Sequence, residues 1–247
     1  MDQPSRSECK VCGSADIRPS VEKDGYAFSE CGQCGFVFLN PMPDQTTLNE
    51  IYEGQAVVAD ADYPKARSRK RRAFGRVLSL LPYTFGKKVL DIGCGGGFIV
   101  NALTTFGAEG HGFDVDESAI AYATRTFPKG HFFASSFEDF QDHSETYDFV
   151  YSSEVIEHVA ELSTFMELLK RVTRPGGYVY ITTPDLGSPR RPQNLLDWDV
   201  FSPPIHVQFF DEHMMTRLFD RYGFVRKRKF HDSKVGLKML FRHQPHR

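Results

Sequence analysis

Residues 89–98 read Val-Leu-Asp-Ile-Gly-Cys-Gly-Gly-Gly-Phe, and the fold turns on them. Lys88–Ile92 predicts a short buried strand, because its apolar run ends abruptly in glycine. Glycines permit a tight bend and let backbone N–H groups approach a ligand with no Cβ in the way. A helix follows through about Phe106. Outward from this unit the pattern repeats. Gly110–Val115 predicts a second strand with a helix from Ser118 to about Phe127, and His131–Ala134 a third strand. Tyr147–Ser152 predicts a fourth, with a helix running into Leu162–Val172. The turn Arg174–Gly177 leads into a fifth, Tyr178–Thr183. Strands and helices alternating over short connections predict a doubly wound α/β fold, a parallel sheet covered on both faces. A helix near Glu212–Tyr222 and two strand-like runs, Val225–Phe230 and Gly236–Phe241, add an antiparallel pair at one edge. The expected sheet has seven strands, mostly parallel.

In such sheets ligands bind beyond the carboxyl ends of the strands, so the glycine turn should face the site. A dinucleotide loop would carry G-x-G-x-x-G, but counting from Gly93 the third glycine falls on Phe98. Asp91 in the same turn also suits a cationic amino-acid tail better than an anionic pyrophosphate. Asp114 closes the second strand about twenty residues on, where a carboxylate can accept from both ribose hydroxyls. Its competing role is a capping one.

The segments VLDIGCGGG, GFDVDESAI, ASSFEDF, YDFVYSSEVIEHV and RPGGYVYITTP resemble, in order and spacing, the successive motifs of class I S-adenosylmethionine-dependent methyltransferases over roughly residues 86–185. That resemblance implies a Rossmann-like methyltransferase domain over 86–247, with S-adenosylmethionine as methyl donor. It implies that Asp91, Gly93, Cys94 and Gly95 line the methionine part, and that Asp114 holds the ribose. Ser136 and Phe137 would border the adenine, although the family often has an acidic residue where this chain has Ser136. Ser153 would lie near the transferable methyl. Tyr63 belongs to the segment 44–85, read as a helical connector of the kind relatives fold over the cofactor.

Methyl transfer needs an aligned acceptor and a place for one proton. Glu154, Glu157 and His158 follow the fourth strand, and a helix there would put Glu154 and His158 on one face at i, i+4. His158 is the expected general base, with Glu154 beside it and His206, which opens HVQFF, as a further candidate. Each has an ordinary alternative as a cap or a packed side chain. Some relatives, notably quinone-biosynthesis O-methyltransferases, hold a divalent cation with acidic and histidine side chains here. The irregular stretch Asp185–Gln208, with four prolines and the sole tryptophan Trp198, is read as a substrate loop rather than a passive connection.

Cys9, Cys12, Cys31 and Cys34 form C-x2-C, eighteen residues, C-x2-C within residues 1–43. With no export signal read at the N-terminus, this spacing points to a structural Zn²⁺ held by four thiolates; redox or free thiols are the alternative. A zinc ribbon with strands at Tyr26–Phe28 and Phe36–Leu39 is expected. A ribbon before such a domain resembles sugar, polysaccharide and natural-product methyltransferases. Deoxysugar C-methyltransferases among them carry a further C-terminal domain not found in this sequence, which leads to the expectation of an O-methyltransferase. It also resembles ribosomal-RNA guanine methyltransferases with an N-terminal zinc site, where the basic run Lys65–Arg72 would fit.

A net charge of −2 over 247 residues gives no general pull toward nucleic acid, and no apolar run is long enough to span a bilayer. The basic run is read as the solvated face of a helix. The expectation is therefore a cytoplasmic enzyme, monomer or homodimer, that methylates an oxygen of a small-molecule or glycan acceptor. An RNA methyltransferase and a non-catalytic binding protein of the same fold are the competing readings.

Overall fold

The computed structural model describes residues 7–48, 63–231 and 234–244; Ile51 and Tyr52, read as part of a helix, lie outside the described residues. The N-terminal module opens with β1 (Ile17–Lys23) and β2 (Tyr26–Cys31), an antiparallel hairpin closed by Asp24-Gly25. Both turn residues have positive φ, 53° and 82°, the geometry a two-residue primed turn demands. β1 escapes the pattern reading above, although Asp-Gly between strand-like runs is its signal. β3 (Val37–Leu39) pairs with β2.

The chain then enters α1 (Ala66–Thr84), whose buried stripe is Ala73, Val77, Leu80 and Thr84. The residues of the basic run from Arg67 to Arg72 are exposed. The large domain follows as β4 (Lys88–Ile92), α2 (Phe98–Thr105), β5 (Glu109–Asp114), α3 (Glu117–Thr126), β6 (His131–Ala134), β7 (Tyr147–Ser153), α4 (Leu162–Val172) and β8 (Thr173–Pro184). After the long connection come β9 (Gln208–Phe209), α5 (Glu212–Arg221), β10 (Phe224–Lys229) and β11 (Gly236–His243). Among the described residues the main sheet has seven strands, ordered β10-β11-β8-β7-β4-β5-β6; β11 runs antiparallel to both its neighbours, and the other six strands share one direction. This is the doubly wound α/β architecture expected from the alternation, and the Rossmann-like methyltransferase fold that the resemblance implies.

Burial explains the layering. Val89, Phe149, Tyr151, Tyr180 and Leu240 face α1 and α2, whereas Leu90, Ile92, Val150, Val179, Ile181 and Phe241 face the side of α4 and α5. Alternate residues thus feed two cores, as strands buried on both faces must. α4 carries six buried residues, among them Leu162, Phe165, Met166 and Leu169, at helical spacing. Asp116 and Asp211 accept from the first-turn amides of α3 and α5, setting where those helices begin.

The N-terminal module is not a separate bead. β9 pairs with β3, Val37 opposite Phe209 and Phe38 opposite Gln208, so a segment of the large domain completes the small sheet. Cys9, Phe28, Phe36 and Leu39 share one apolar core with Phe210 and Met215. The irregular stretch 185–208 also packs here: Phe201 lies 4.5 Å from Phe28 and 4.8 Å from Phe209, and Trp198 is only 2% exposed. Lys23 Nζ donates to Phe201 O at 2.7 Å. One such hydrogen bond nets about 1 kcal/mol, against about 1.5–3 kcal/mol for each fully buried ring, so packing holds this stretch in place. Its aromatic residues point into the small module.

Candidate active site

The glycine turn sits where β4 ends. Gly93 N and Cys94 N both donate to Phe113 O at 3.0 Å, folding the turn over β5. Gly93 has φ 71°, and a Cβ there would lie 2.5 Å from Val155 Cγ2, so no other residue fits. Gly96 is equally constrained from outside: its N–H meets Tyr63 Oη at 3.2 Å, and a Cβ would strike the Tyr63 ring at 2.6 Å. Tyr63 therefore lies on the glycine turn, packed edge-on against Phe98 at 5.3 Å. Cys94 turns its side chain inward, into a small cluster with Val100 and Ile120; burial pushes its thiol well up, and the position offers only backbone to a ligand.

Two carboxylates flank the turn. Asp114 accepts from Gly95 N at 2.8 Å through one oxygen and from Asp116 N at 3.0 Å through the other. A carboxylate has about four acceptor positions, so this leaves capacity for a diol. Burial raises its pKa, while the two amides oppose the shift. Asp91 is 2% exposed. Burial, and then the neighbouring charge of Asp114, push its pKa well above the carboxylate range, with Arg76 pulling the other way.

Arg76 is a residue the pattern reading misses. It projects from α1, three residues past Ala73 and four before Leu80, on the edge of the buried stripe. Its Nη1 donates to Tyr151 Oη at 2.6 Å and Ser153 Oγ at 2.9 Å. A charged residue bordering an apolar helical stripe was the available signal. From Ser153 the network continues to Thr182 Oγ1 at 2.6 Å, and Thr182 donates to Glu154 Oε1 at 2.7 Å.

A cleft of about 180 Å³ opens beside the turn, lined among others by Gly93, Asp114, Phe137, Glu154, Val155 and His158. Phe137 packs edge-on to Phe113 and Phe165. Ser136 is occupied differently: its hydroxyl donates to Asp139 Oδ2 at 2.9 Å and accepts from Asp139 N at 3.1 Å, starting a short 3-10 turn.

The acceptor side differs from the helical expectation. Glu154 has φ 57°, a left-handed conformation that a non-glycine residue adopts at a cost of about 1–3 kcal/mol. Its N–H donates to Thr182 O at 2.9 Å. A single 3-10 turn, Ile156–His158, follows, and α4 starts only at Leu162, so Glu154 and His158 do not share an α-helical face. Both nevertheless reach the cleft. His158 Nδ1 faces Ile205 O at 2.8 Å and His206 Nδ1 faces Val200 O at 2.6 Å. A carbonyl only accepts, so both Nδ1 atoms carry protons and both Nε2 atoms carry the lone pair. The rings lie against each other, tilted by 59° with centroids 4.7 Å apart. Burial, then the nearby His206, hold the His158 pKa down at about 4; burial also lowers that of His206.

Glu157 completes this group. It is fully buried, accepts from Thr183 Oγ1 at 3.0 Å, and its Oε1 has no partner among the described residues. Burial, then the charge of Glu154, push its pKa well up. Ligand atoms of Glu157, His158 and His206 lie within 4.8 Å of one another, a geometry compatible with a cation. The sequence puts Glu157 and His158 together, but only the fold brings in His206.

The four N-terminal cysteines converge. Their sulfurs all lie within 4.8 Å of one another, with Cys9–Cys34 at 3.6 Å and Cys12–Cys31 at 3.5 Å, and none is in a disulfide. Tetrahedral Zn²⁺ with bonds of 2.3 Å implies sulfur separations of about 3.8 Å. The two corners are alike: Gly13 N donates to Cys9 O and Gly35 N to Cys31 O, each at 2.8 Å. Amides of Val11 and Cys12 point at Cys9 sulfur, and those of Gln33 and Cys34 at Cys31 sulfur. The donor set fits zinc.

With this fold and this site, comparison with known proteins is direct. A family described as a methyltransferase domain matches residues 66–226, and the chain belongs to that family. It is 36% identical over 102 residues to ubiquinone biosynthesis O-methyltransferase of Mesorhizobium japonicum, covering 40% of this chain and 41% of the relative. It is 39% identical over 106 residues to the human mitochondrial protein of the same description, covering 40% of this chain and 29% of the relative. The chain thus spans about two-fifths of the first relative's length and under a third of the second's. In fold it resembles 1,6-didemethyltoxoflavin-N1-methyltransferase of Burkholderia thailandensis, with TM-score 0.60, 15% identity and coverage of 92% of this chain and 99% of that one. It also resembles magnesium protoporphyrin IX methyltransferase of Synechocystis, with TM-score 0.59, 16% identity and coverage of 82% and 100%. Among the described residues no helix is long and apolar enough to cross a membrane.

Proposed function

We propose that this protein transfers a methyl group from S-adenosylmethionine to an oxygen of a small-molecule or glycan acceptor. The observation that carries the reading is the glycine turn with Asp91 and Asp114 at its flanks, opening on a cleft that His158 also lines. When bound, S-adenosylmethionine supplies an electrophilic methyl carbon on a sulfonium. The backbone of the turn, tightened by Tyr63 and Asp114, gives the cofactor a cradle without side chains. Asp91 would meet its ammonium group and Arg76 its carboxylate; bringing a cation to Asp91 relieves the cost of that buried charge. Asp114 would accept from the ribose and Phe137 would border the adenine. Ser136, committed to Asp139, would offer the adenine mainly backbone.

His158 would take the acceptor's proton through Nε2, since a neutral imidazole is the form its surroundings favour. Glu154, held by Thr182, would orient the acceptor hydroxyl. The names of the curated relatives, which describe O-methyl transfer in ubiquinone biosynthesis, support an oxygen acceptor. A second reading adds a divalent cation on Glu157, His158 and His206, supported by their convergence. It would lower the pKa of the acceptor hydroxyl instead of leaving His158 to act as base. Zn²⁺ on Cys9, Cys12, Cys31 and Cys34 would be structural, with all four positions filled by protein.

The test is a methyl-donor turnover screen over phenolic, sugar and RNA acceptors. Turnover on a phenol or sugar that falls in His158→Ala at unchanged cofactor affinity supports the proposal. Turnover on RNA alone, with steeply salt-dependent RNA binding, replaces it with the nucleic-acid reading.

A further inference from the structure

We infer that Gln208 is a positioning residue that holds the turn bearing Glu157 and His158 in the register set by the N-terminal module. Gln208 is fully buried, and its Nε2 donates to Ile156 O at 2.7 Å and Val159 O at 2.8 Å. Two carbonyl acceptors require the nitrogen there, so the amide has only one orientation. The Ile156–His158 turn is too short to satisfy its own carbonyls, and Val159 N, just past its end, reaches Ile156 O at a long 3.4 Å. Gln208 supplies what the turn lacks.

The backbone around Gln208 works in the same sense. Val207 N donates to Glu157 O at 2.9 Å, while Leu39 N donates to Val207 O at 2.7 Å. On its other side Gln208 is opposite Phe38 in the β3–β9 pair. Residues 207–209 thus bridge the N-terminal module and the catalytic turn, with the ring of His206, immediately before them, tilted against that of His158. A one-residue slip of β9 against β3 would exchange buried Gln208 for Val207 or Phe209, neither of which can donate from its side chain. The acceptor-side geometry is therefore tied to the register of a strand that starts at Val37.

This inference rests on the acceptor-side role proposed for His158, and its test uses no acceptor, so the two can fail separately. Gln208→Met keeps the volume and removes both donors. The expected result is amide exchange over residues 154–160 at least tenfold faster, with the imidazole nitrogen spectra of His158 and His206 no longer showing Nδ1–H alone. The central strands β4 and β7 stay protected. Unchanged exchange and tautomers overturn the inference. So does general loss of protection in β4 and β7, because Gln208 would then support the whole fold. Cys34→Ser loosens the module from the other end: faster exchange over 154–160 as well as 28–39 is expected, and a change confined to 28–39 overturns the link.

Discussion

Arg76 and Ser153, separated by most of the first half of the large domain, are joined by a 2.9 Å hydrogen bond from guanidinium to hydroxyl. Thr182 gives its proton to Glu154, so the Ser153 hydroxyl must donate to Thr182 and accept from Arg76. The network has one direction, from a cation on α1 to a carboxylate at the cleft. Such chains polarise along their length, and each member fixes the next.

Arg76→Met tests the cationic end. Removing a charge-assisted hydrogen-bond partner costs about 1.5–3 kcal/mol, so S-adenosylmethionine affinity should fall roughly 10- to 100-fold by calorimetry. Affinity for 5′-methylthioadenosine, which lacks the amino-acid tail, should hardly change. An equal fall for both ligands would make Arg76 a structural residue.

Asp91→Asn separates stability from binding. A carboxylate whose folded pKa is raised is most favourable below its unfolded value, and its contribution is lost as pH rises through the folded pKa. At neutral pH its burial is therefore a cost. The variant without ligand should melt higher, by about 2–4 °C for each kcal/mol recovered. Its affinity for S-adenosylmethionine should drop at least tenfold. A lower melting temperature would mean that Asp91 is compensated in the ligand-free protein.

Acid should destabilise the protein through its buried histidines. His158, His206 and His111 all have folded pKa values below the unfolded value near 6.5, each chiefly through burial. In that window the unfolded chain binds more protons, so their stabilisation is complete above about pH 6.5 and is lost as pH falls. For His158 the loss continues to about pH 4 and amounts to something on the order of 3 kcal/mol. Asp91 and Glu157 act in the opposite sense. The clean measurement is the difference in urea stability between the wild type and His158→Gln across pH 4–7. A difference that does not vary with pH would mean that His158 is not held neutral.

The cysteine cluster should bind one zinc per chain by elemental analysis, and Cys9→Ser or Cys31→Ser should abolish it. Trp198, the sole tryptophan, is buried against Phe209 at the edge of the N-terminal module. Chelation should therefore shift its emission to the red and lower the melting temperature. A metal-free protein with unchanged emission would rule out a structural metal.

The parallel sheet was legible because its strands are buried on both faces and punctuated by glycine; the placement of Asp91, Gly93 and Asp114 at strand ends follows from that alternation, and their proposed roles from the resemblance. Tyr63 was within reach of a resemblance, though not of any periodicity. What failed had physical causes. Glu154 looked like the start of a helix, but Thr182 holds its backbone in a left-handed bend that no local pattern announces. Arg76 was hidden because a long side chain can leave an exposed helix flank and reach a buried network. Trp198 looked like part of a loop over substrate, yet its ring packs on Phe209, within the core that Phe28 and Phe36 share. His206 could be named, but its contact with His158 depends on the pairing of β9, a two-residue strand too short to read.

The partnership of Val37 with Phe209 also has a temporal side. A ribosome adding about 5–20 residues per second needs on the order of ten to thirty seconds to make the intervening chain. During that interval the newly made hairpin has an open edge and no Phe201 or Phe210 to cover its aromatic rings. Early capture of a metal ion by the four thiols would keep the nascent segment compact until its last strand arrives. Cells starved of that ion should then accumulate aggregated nascent protein before any loss of finished enzyme is seen.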